Sequence, residues 1–223
     1  MTVADHLQSL QQSIRQACEK SGRAPSDITI IAVTKYVTID RAKEALAAGV
    51  NHLGENRKEE FLEKYQAIEG EAFWHFIGSL QSRKVKDIIS YVDMIHSLDR
   101  RSLAKEINKR ADQHVACFVQ VNVSGEASKH GVAPDEVVDF VHSLEDFPNI
   151  KVVGLMTMAP HIEDEDKLRG IFRNLKALQI EIQSMHLNHA PCDYLSMGMS
   201  NDFQIAIEEG ATHIRIGSSL VGD

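Results

Sequence analysis

Short apolar runs rich in β-branched residues alternate along this chain with segments in which apolar residues recur every three or four positions. Runs of the first kind predict buried strands, and the second spacing predicts amphipathic helices. The clearest strand runs are residues 28–35 (ITIIAVTK), 115–123 (VACFVQVNV) and 150–156. The longest helical pattern covers residues 168–182. This alternation is typical of an α/β protein with a parallel sheet.

Eight strands separated by seven helices are predicted in total. The strands are residues 28–35, 50–55, 73–78, 94–98, 115–123, 150–156, 193–195 and 213–216. Eight regular units of this kind close a parallel sheet into a barrel. A further helix, with Leu7, Leu10 and Ile14 on one face, precedes the first strand. We therefore predict one domain, residues 1–223, with a (β/α)8 TIM-barrel fold and an extra N-terminal helix. The alternation alone leaves an open doubly wound sheet as the alternative.

Composition narrows the classes of function. The formal net charge of −8 argues against a general nucleic-acid binder. Cys18, Cys117 and Cys192 are far apart, which fits a reducing cytosol better than a disulfide framework or a zinc site. The first twelve residues are unlike a signal peptide, and no apolar run reaches membrane-spanning length. We expect a cytoplasmic protein without a membrane or nucleic-acid partner.

The active site of a (β/α)8 barrel lies at the C-terminal ends of its strands. Polar or functional residues at the predicted strand ends are therefore the candidates for a site. They are Lys35, Glu55, Asn56, His75, Gly78, Ser97, Asn122, Met156, residues 196–200 and residues 215–218.

Two glycine- and serine-containing segments narrow this set. In LSMGMSND, Gly198 and Ser200 follow the seventh strand, and Ser200 is predicted to cap the next helix. In IRIGSS, Gly217 and Ser218 follow the eighth strand. Small residues let backbone amides approach a phosphate closely, and the loops after strands seven and eight commonly bind phosphate in such barrels. We therefore predict a phosphate site between these two loops.

Lys35 ends the first apolar strand, where little water is expected around its amine. Burial favours the neutral amine, which is the form that attacks a carbonyl carbon. A lysine of this kind together with a phosphate site suggests pyridoxal 5′-phosphate (PLP). Arg215 lies between the two, at the end of the eighth strand. Its guanidinium, facing the pyridine nitrogen, would keep that nitrogen unprotonated and weaken the ring as an electron sink.

The chain also resembles a known family along nearly its whole length. The matching segments are AVTK (32–35), HLGENR (52–57), WHFIGSLQSRK (74–84), VNVSGEASKHG (121–131), GLMTM (154–158), LSMGMSNDF (195–203) and IRIGSS (214–219). Together they resemble the pyridoxal phosphate homeostasis proteins, relatives of the N-terminal barrel of alanine racemase in the fold-type III group of PLP proteins.

This resemblance implies a cytosolic barrel that carries PLP as a Schiff base on Lys35. It implies phosphate contacts near Ser200, Gly217 and Ser218, and a pyridine-nitrogen contact from Arg215. Three further residues match family positions near the cofactor: Asn56, His75 and Met156. The loop residue Lys129 matches a family lysine implied in cofactor exchange. No catalytic residue and no metal ligand are assigned.

The predicted function is PLP homeostasis with little or no turnover. Alanine racemase takes a second base from a β domain of its partner subunit, and few residues follow the eighth strand here. We therefore expect a monomer that holds PLP and passes it to PLP-dependent client enzymes. One alternative is a PLP-dependent amino-acid racemase of narrow specificity. Another is a phosphosugar isomerase or epimerase barrel without PLP.

Two further predictions concern side-chain direction. Trp74 alternates with His75 along the third strand, so Trp74 is expected to face the helices while His75 faces the site. The charged segment 57–64 is expected to form a solvated helix face. The other strand histidines lack metal-ligand spacing: His52, His96 and His213.

Overall fold

Eight strands alternate with helices in the computed structural model, which describes residues 1–68, 70–126 and 130–222. The strands are β1 Thr29–Val33, β2 His52–Glu55, β3 Phe73–Phe76, β4 Met94–Leu98, β5 Val115–Gln120, β6 Ile150–Met156, β7 Tyr194–Met199 and β8 His213–Ile216. Every neighbouring pair is parallel, and β8 pairs with β1, where Ile31 lies opposite Arg215. The sheet is therefore a closed barrel. The predicted TIM barrel is confirmed, and the open-sheet alternative is wrong.

The helices lie outside the barrel. They are α1 Val3–Ser21, α2 Ile39–Ala47, α3 Lys58–Ile68, α4 Val85–Ile88, α5 Arg101–Arg110, α6 Val137–Ser143, α7 Glu165–Ser184, α8 Phe203–Glu208 and α9 Ser218–Val221. The predicted N-terminal helix is α1, which begins with a capping box between Thr2 and Asp5. It ends at Gly22, whose φ of 67° is the left-handed conformation that glycine adopts without strain. α1 packs against α8 and α9 and so covers the junction where the barrel closes.

Apolar side chains fill the layer between strands and helices. Trp74 is almost fully buried there, and its ring meets Phe61 of α3 edge-on with the ring centres 5.4 Å apart. The prediction that Trp74 faces the helices is therefore confirmed. Because side chains alternate along a strand, its neighbour His75 points into the barrel interior, where it is fully buried. Polar groups inside the barrel and apolar groups outside it thus come from the same strand.

The predicted solvated face of residues 57–64 is wrong at its last position. Lys64 is only 4% exposed and lies on the buried face of α3 together with Phe61 and Ile68. Its amine pairs with the carboxylate of Glu55 at 2.7 Å. A charged side chain is buried in a protein only when it is paired in this way.

Candidate functional site

A cavity of about 630 Å³ opens at the C-terminal ends of the strands. Its volume lies within the range of roughly 300–1,000 Å³ that is usual for small-molecule sites. Six of the eight predicted cofactor residues line this cavity: Lys35, Asn56, Ser200, Arg215, Gly217 and Ser218. His75 and Met156 are buried in the barrel interior and do not line it.

Lys35 lies in a tight turn, two residues after the end of β1. The amide of Val37 donates a hydrogen bond to the carbonyl of Thr34 across this turn at 3.2 Å. Tyr36 has a φ of 66°, a strained conformation for a residue other than glycine. Lys35 is half-buried, so its shielding from water is only partial. Its amine lies 5.7 Å from the centre of the Tyr36 ring, at the edge of the cavity.

The loop after β7 is built differently from the prediction. β7 continues to Met199, and α8 begins at Phe203 with Asp202 in the N-cap position. Ser200 therefore does not cap the helix. Its hydroxyl oxygen instead accepts a hydrogen bond from the amide of Gly217 at 3.4 Å, which joins the loops after β7 and β8.

Glycine is required at position 198 for a steric reason. Gly198 has a φ of 92°, and a Cβ atom there would lie 2.6 Å from the Cβ of Ala206 in α8. The helix can pack this closely on the strand only where a side chain is missing.

The loop after β8 leads directly into α9, which begins at Ser218. Amides in the first turn of a helix have no carbonyl partner within that helix. In many (β/α)8 barrels a phosphate binds to the loops after strands seven and eight together with a short extra helix. Ser200, Gly217 and Ser218 line the cavity at this position. The arrangement is therefore suited to an anionic group.

Arg215 lies in the cavity wall and is 4% exposed. One terminal nitrogen donates to the hydroxyl of Ser196 at 2.7 Å, and the other donates to the carbonyl of Thr157 at 2.9 Å. These bonds fix the plane of the guanidinium. Burial lowers the pKa of Arg215 to about 10, and the Asp202 carboxylate acts in the opposite direction. The group is therefore charged at neutral pH.

A continuous chain of hydrogen bonds runs from Arg215 through the barrel interior. Ser196 is bonded to His96 Nδ1 at 2.9 Å, His96 Nε2 to His75 Nδ1 at 2.8 Å, and His75 Nε2 to His52 Nδ1 at 2.9 Å. Burial lowers the pKa of His75 and of His96 well below the ordinary value. These two imidazoles are therefore neutral at pH 7.

The direction of this chain follows from Arg215. Its guanidinium can only donate, so Ser196 accepts from it, and we assign the hydroxyl hydrogen of Ser196 to His96 Nδ1, its other contact. A neutral imidazole has one donor and one acceptor nitrogen, so His96 and His75 then both carry the hydrogen on Nε2. The chain ends at half-buried His52, where β2 begins. The predicted strand-end histidine, His75, thus reaches Arg215 in the cavity wall only through His96 and Ser196.

A second buried cluster adjoins the Lys35 turn. Lys64 donates to Glu55 Oε1 and to the carbonyl of Thr34, in each case at 2.7 Å. The hydroxyl of Thr34 donates to the same Glu55 oxygen at 2.7 Å. Burial raises the pKa of Glu55, and the hydrogen bonds from Lys64 and Thr34 lower it. The role of Lys64 is not among the predictions from the sequence, although the spacing of Phe61, Lys64 and Ile68 places all three on one helix face.

The donor set of the cavity fits a phosphorylated aldehyde such as PLP. Lys35 supplies an amine, the loops after β7 and β8 supply an anion site, and Arg215 supplies a fixed cation. Asn56 supplies an acceptor, because its Oδ1 is buried without a hydrogen-bond partner among the described residues. Lys129, which the family resemblance implies in cofactor exchange, lies outside the described residues.

Residues 1–68, 70–126 and 130–222 contain no group of histidine, cysteine or acidic side chains arranged to hold a metal ion. Over the same residues, no helix combines the length and apolarity needed to cross a membrane.

Comparison with known proteins places the chain in the family of the alanine racemase N-terminal domain. The family profile for the N-terminal domain of alanine racemase matches residues 6–223. A pyridoxal phosphate homeostasis protein from Aquifex aeolicus is 41% identical over 227 residues, which cover 100% of this chain and 99% of that protein.

Two solved structures extend the similarity to three dimensions. An unknown protein from Bifidobacterium adolescentis superimposes with a TM-score of 0.92 at 31% identity, covering 98% of this chain and 94% of that one. PipY from Synechococcus elongatus, solved with PLP bound, gives a TM-score of 0.85 at 29% identity. That match covers 99% of this chain and all of PipY.

Proposed function

Since this chain belongs to the alanine racemase N-terminal domain family, and within it to the pyridoxal phosphate homeostasis proteins, we propose that it binds PLP and takes part in PLP homeostasis. Residues 1–223 form one PLP-binding domain in this proposal. One observation carries it: Lys35 and the Gly217–Ser218 loop follow the paired strands β1 and β8 and line the same cavity. In this proposal the amine of Lys35 meets the aldehyde of the ligand, and the loop after β8 meets its phosphate.

The proposed bond is a Schiff base on Lys35. The neutral amine of Lys35 attacks the aldehyde carbon, a carbon–nitrogen double bond replaces the carbonyl bond, and one water is released. The step is reversible in water and involves no oxidation. Because Lys35 is half-buried at the edge of the cavity, water and competing amines can reach the bond. This accessibility supports a protein that releases its cofactor as well as holding it.

The remaining cavity residues orient the cofactor in the proposal. Ser200, Gly217 and Ser218 bind the phosphate, and Asn56 accepts a hydrogen bond from a donor on the ligand. Arg215 faces the pyridine nitrogen and, as a permanent donor, keeps that nitrogen unprotonated. The chemistry that bound PLP supplies is electron withdrawal, and an unprotonated ring supplies less of it. This arrangement favours storage over rapid turnover of amino acids.

The positions of His75 and Met156 support a more indirect role. Met156 is buried opposite Gln120 of β5 and Ser196 of β7, and it does not line the cavity. His75 reaches Arg215 only through His96 and Ser196. We place both residues beneath the cofactor in this proposal, where they support Arg215 without touching the ligand.

The proposal further assigns the chain to the cytoplasm as a monomer that supplies client enzymes. An acidic chain with three separate, buried and unpaired cysteines supports a reducing compartment. The cofactor would pass to PLP-dependent enzymes after hydrolysis of the Schiff base or its exchange with another amine.

A PLP-dependent amino-acid racemase of narrow specificity is the second candidate. The observation that favours it is a pair of titratable groups, His161 and Asp202, in the wall of the same cavity. Burial raises the pKa of Asp202, which brings its carboxyl group closer to the range useful for proton transfer.

A spectrum and a turnover assay together test the proposal. Purified protein mixed with PLP is expected to develop the visible absorbance of a Schiff base, and Lys35→Ala is expected to lack it. With D- and L-amino acids, we expect turnover far below that of ordinary racemases. Rapid racemisation that requires Lys35 would replace the homeostasis proposal with the racemase. If wild-type protein saturated with PLP shows no Schiff-base absorbance, both PLP proposals are wrong. The remaining alternative is then a phosphosugar isomerase or epimerase.

A further inference from the structure

The buried pair of Glu55 and Lys64 contacts the residue that directly precedes Lys35. Lys64 donates to the backbone carbonyl of Thr34, and Glu55 accepts from its side-chain hydroxyl. Thr34, Glu55 and Lys64 are 0%, 0% and 4% exposed. The pair therefore fixes both the main chain and the side chain of Thr34 through two hydrogen bonds of 2.7 Å, and a third bond of the same length joins Lys64 to Glu55. These three residues come from the ends of β1 and β2 and from α3.

General stability is a weak explanation for a pair of this kind. Removing two charges from water costs free energy, and a neutral replacement of similar shape is often as stable or more so. The pair is also incompletely satisfied, because Glu55 Oε2 is buried without a partner among the described residues. An incompletely satisfied charge network is unfavourable for stability alone. What the pair does provide is a defined geometry for Thr34.

The turn that follows Thr34 needs such support. Tyr36 has a φ of 66°, and a strained conformation persists only where surrounding contacts enforce it. The Thr34 carbonyl accepts from both Lys64 and the amide of Val37, so one atom joins the buried pair to the turn. Glu60 of α3 accepts from the amide of Tyr36 at 3.2 Å. Helix α3 thus contacts the turn on both sides of Lys35.

We propose that Glu55 and Lys64 are positioning residues, which hold the Thr34–Val37 turn so that the amine of Lys35 projects into the cavity in a reactive orientation. This inference rests on the proposed Schiff base between Lys35 and PLP. It also distinguishes the two lysines near the site. Lys64 is held by Glu55 and Thr34 and does not line the cavity, whereas Lys35 does.

The informative variant is the double substitution Glu55→Gln with Lys64→Met. It removes both charges together, so it avoids the unpaired buried charge that either single substitution leaves. We expect the double variant to fold but to form the Schiff base about 10- to 100-fold more slowly than wild type, as expected for a misplaced reactive group. The rate is measured as the growth of visible absorbance after PLP is mixed with the apo-protein.

A second ligand separates positioning from general damage. Pyridoxamine 5′-phosphate carries an amine in place of the aldehyde and forms no bond with Lys35. Its affinity, measured by fluorescence titration, is expected to match wild type in the double variant. A matched control is Gln179→Leu. Gln179 lies on α7, away from the cavity, and the substitution removes its buried hydrogen bond to the carbonyl of Cys192. This control is expected to keep the wild-type rate of Schiff-base formation.

The outcomes separate this inference from the function on which it rests. Wild-type protein that forms no Schiff base would overturn the proposed function. If wild type and the double variant form the Schiff base at the same rate, only the positioning role is overturned. Equal slowing in Gln179→Leu, or a parallel loss of pyridoxamine 5′-phosphate affinity, would also overturn it, because either result indicates a general defect. A slow double variant with normal pyridoxamine 5′-phosphate affinity is the result we expect.

Discussion

Acid is expected to destabilise this barrel through the histidines that fill its interior. Burial lowers the pKa of His75 and His96 well below the ordinary value and lowers that of His213 from 6.5 to about 4. The unfolded chain takes up protons on these imidazoles near pH 6.5, whereas the folded barrel resists protonation to lower pH. Their contribution to stability is therefore complete above about pH 6.5 and is lost as the pH falls through 6 and 5.

The size of the effect follows from proton linkage. With pKa values of 6.5 unfolded and about 4 folded, His213 alone removes about 2 kcal/mol from the free energy of unfolding between about pH 7.5 and pH 5. His75 and His96 act in the same direction. A protonated imidazole also cannot accept a hydrogen bond, so charging either one breaks the chain that leads to Arg215.

Urea unfolding followed by circular dichroism at about pH 7.5 and pH 5 tests this prediction. We expect wild type to lose at least about 2 kcal/mol at the lower pH and His213→Gln to lose about 2 kcal/mol less than wild type. His114→Gln is the control, because His114 is exposed in the loop before β5. Equal free energies of unfolding at the two pH values in wild type would refute the reasoning, since the interior histidines would then titrate as in the unfolded chain.

Three substitutions give further predictions. Gly198→Ala is expected to lower the free energy of unfolding by about 1–3 kcal/mol, because of its φ of 92° and the Cβ contact of 2.6 Å with Ala206; an unchanged Tm would contradict this. Ser218→Ala is expected to weaken PLP binding about tenfold in a fluorescence titration, while Ser219→Ala, outside the cavity, has no effect; equal affinities would exclude Ser218 from the phosphate site. Arg215→Met is expected to lower the free energy of unfolding by about 1–3 kcal/mol through lost hydrogen bonds, and to change the absorbance spectrum of bound PLP. An unaltered spectrum would show that Arg215 does not contact the pyridine ring.

Much of the fold is determined by patterns visible in the sequence, and β7 shows where they fail. Only residues 193–195 were predicted as a strand, whereas β7 spans Tyr194–Met199. Ser196 and Gly198 interrupt the apolar pattern that identifies a strand. In the folded protein they have separate reasons to be present, since Ser196 bonds to Arg215 in the barrel interior and Gly198 allows α8 to pack closely on the outside. These contacts join residues that are far apart in the sequence, so they produce no periodic pattern of apolar residues.

The same distinction applies to the site. Strand ends share one rim of a parallel barrel, so the sequence alone predicts that Lys35, Arg215 and Ser218 lie close together. Depth within the barrel depends on register instead. His75, near the end of β3, lies opposite Gly54 of β2 and Met94 of β4, and its imidazole bonds to His52 and His96 without lining the cavity. The burial of Lys64 is hard to predict, because the charged residues next to it in the sequence are exposed or only partly buried.

The central claim is that Lys35 carries PLP, and borohydride trapping tests it most directly. Protein mixed with PLP is reduced with borohydride, digested and mapped by mass spectrometry. We predict one stoichiometric phosphopyridoxyl group on the peptide that contains Lys35, and none on any peptide of Lys35→Ala. Stoichiometric labelling of a different lysine in wild type, or no labelling of cofactor-saturated protein, would contradict the account.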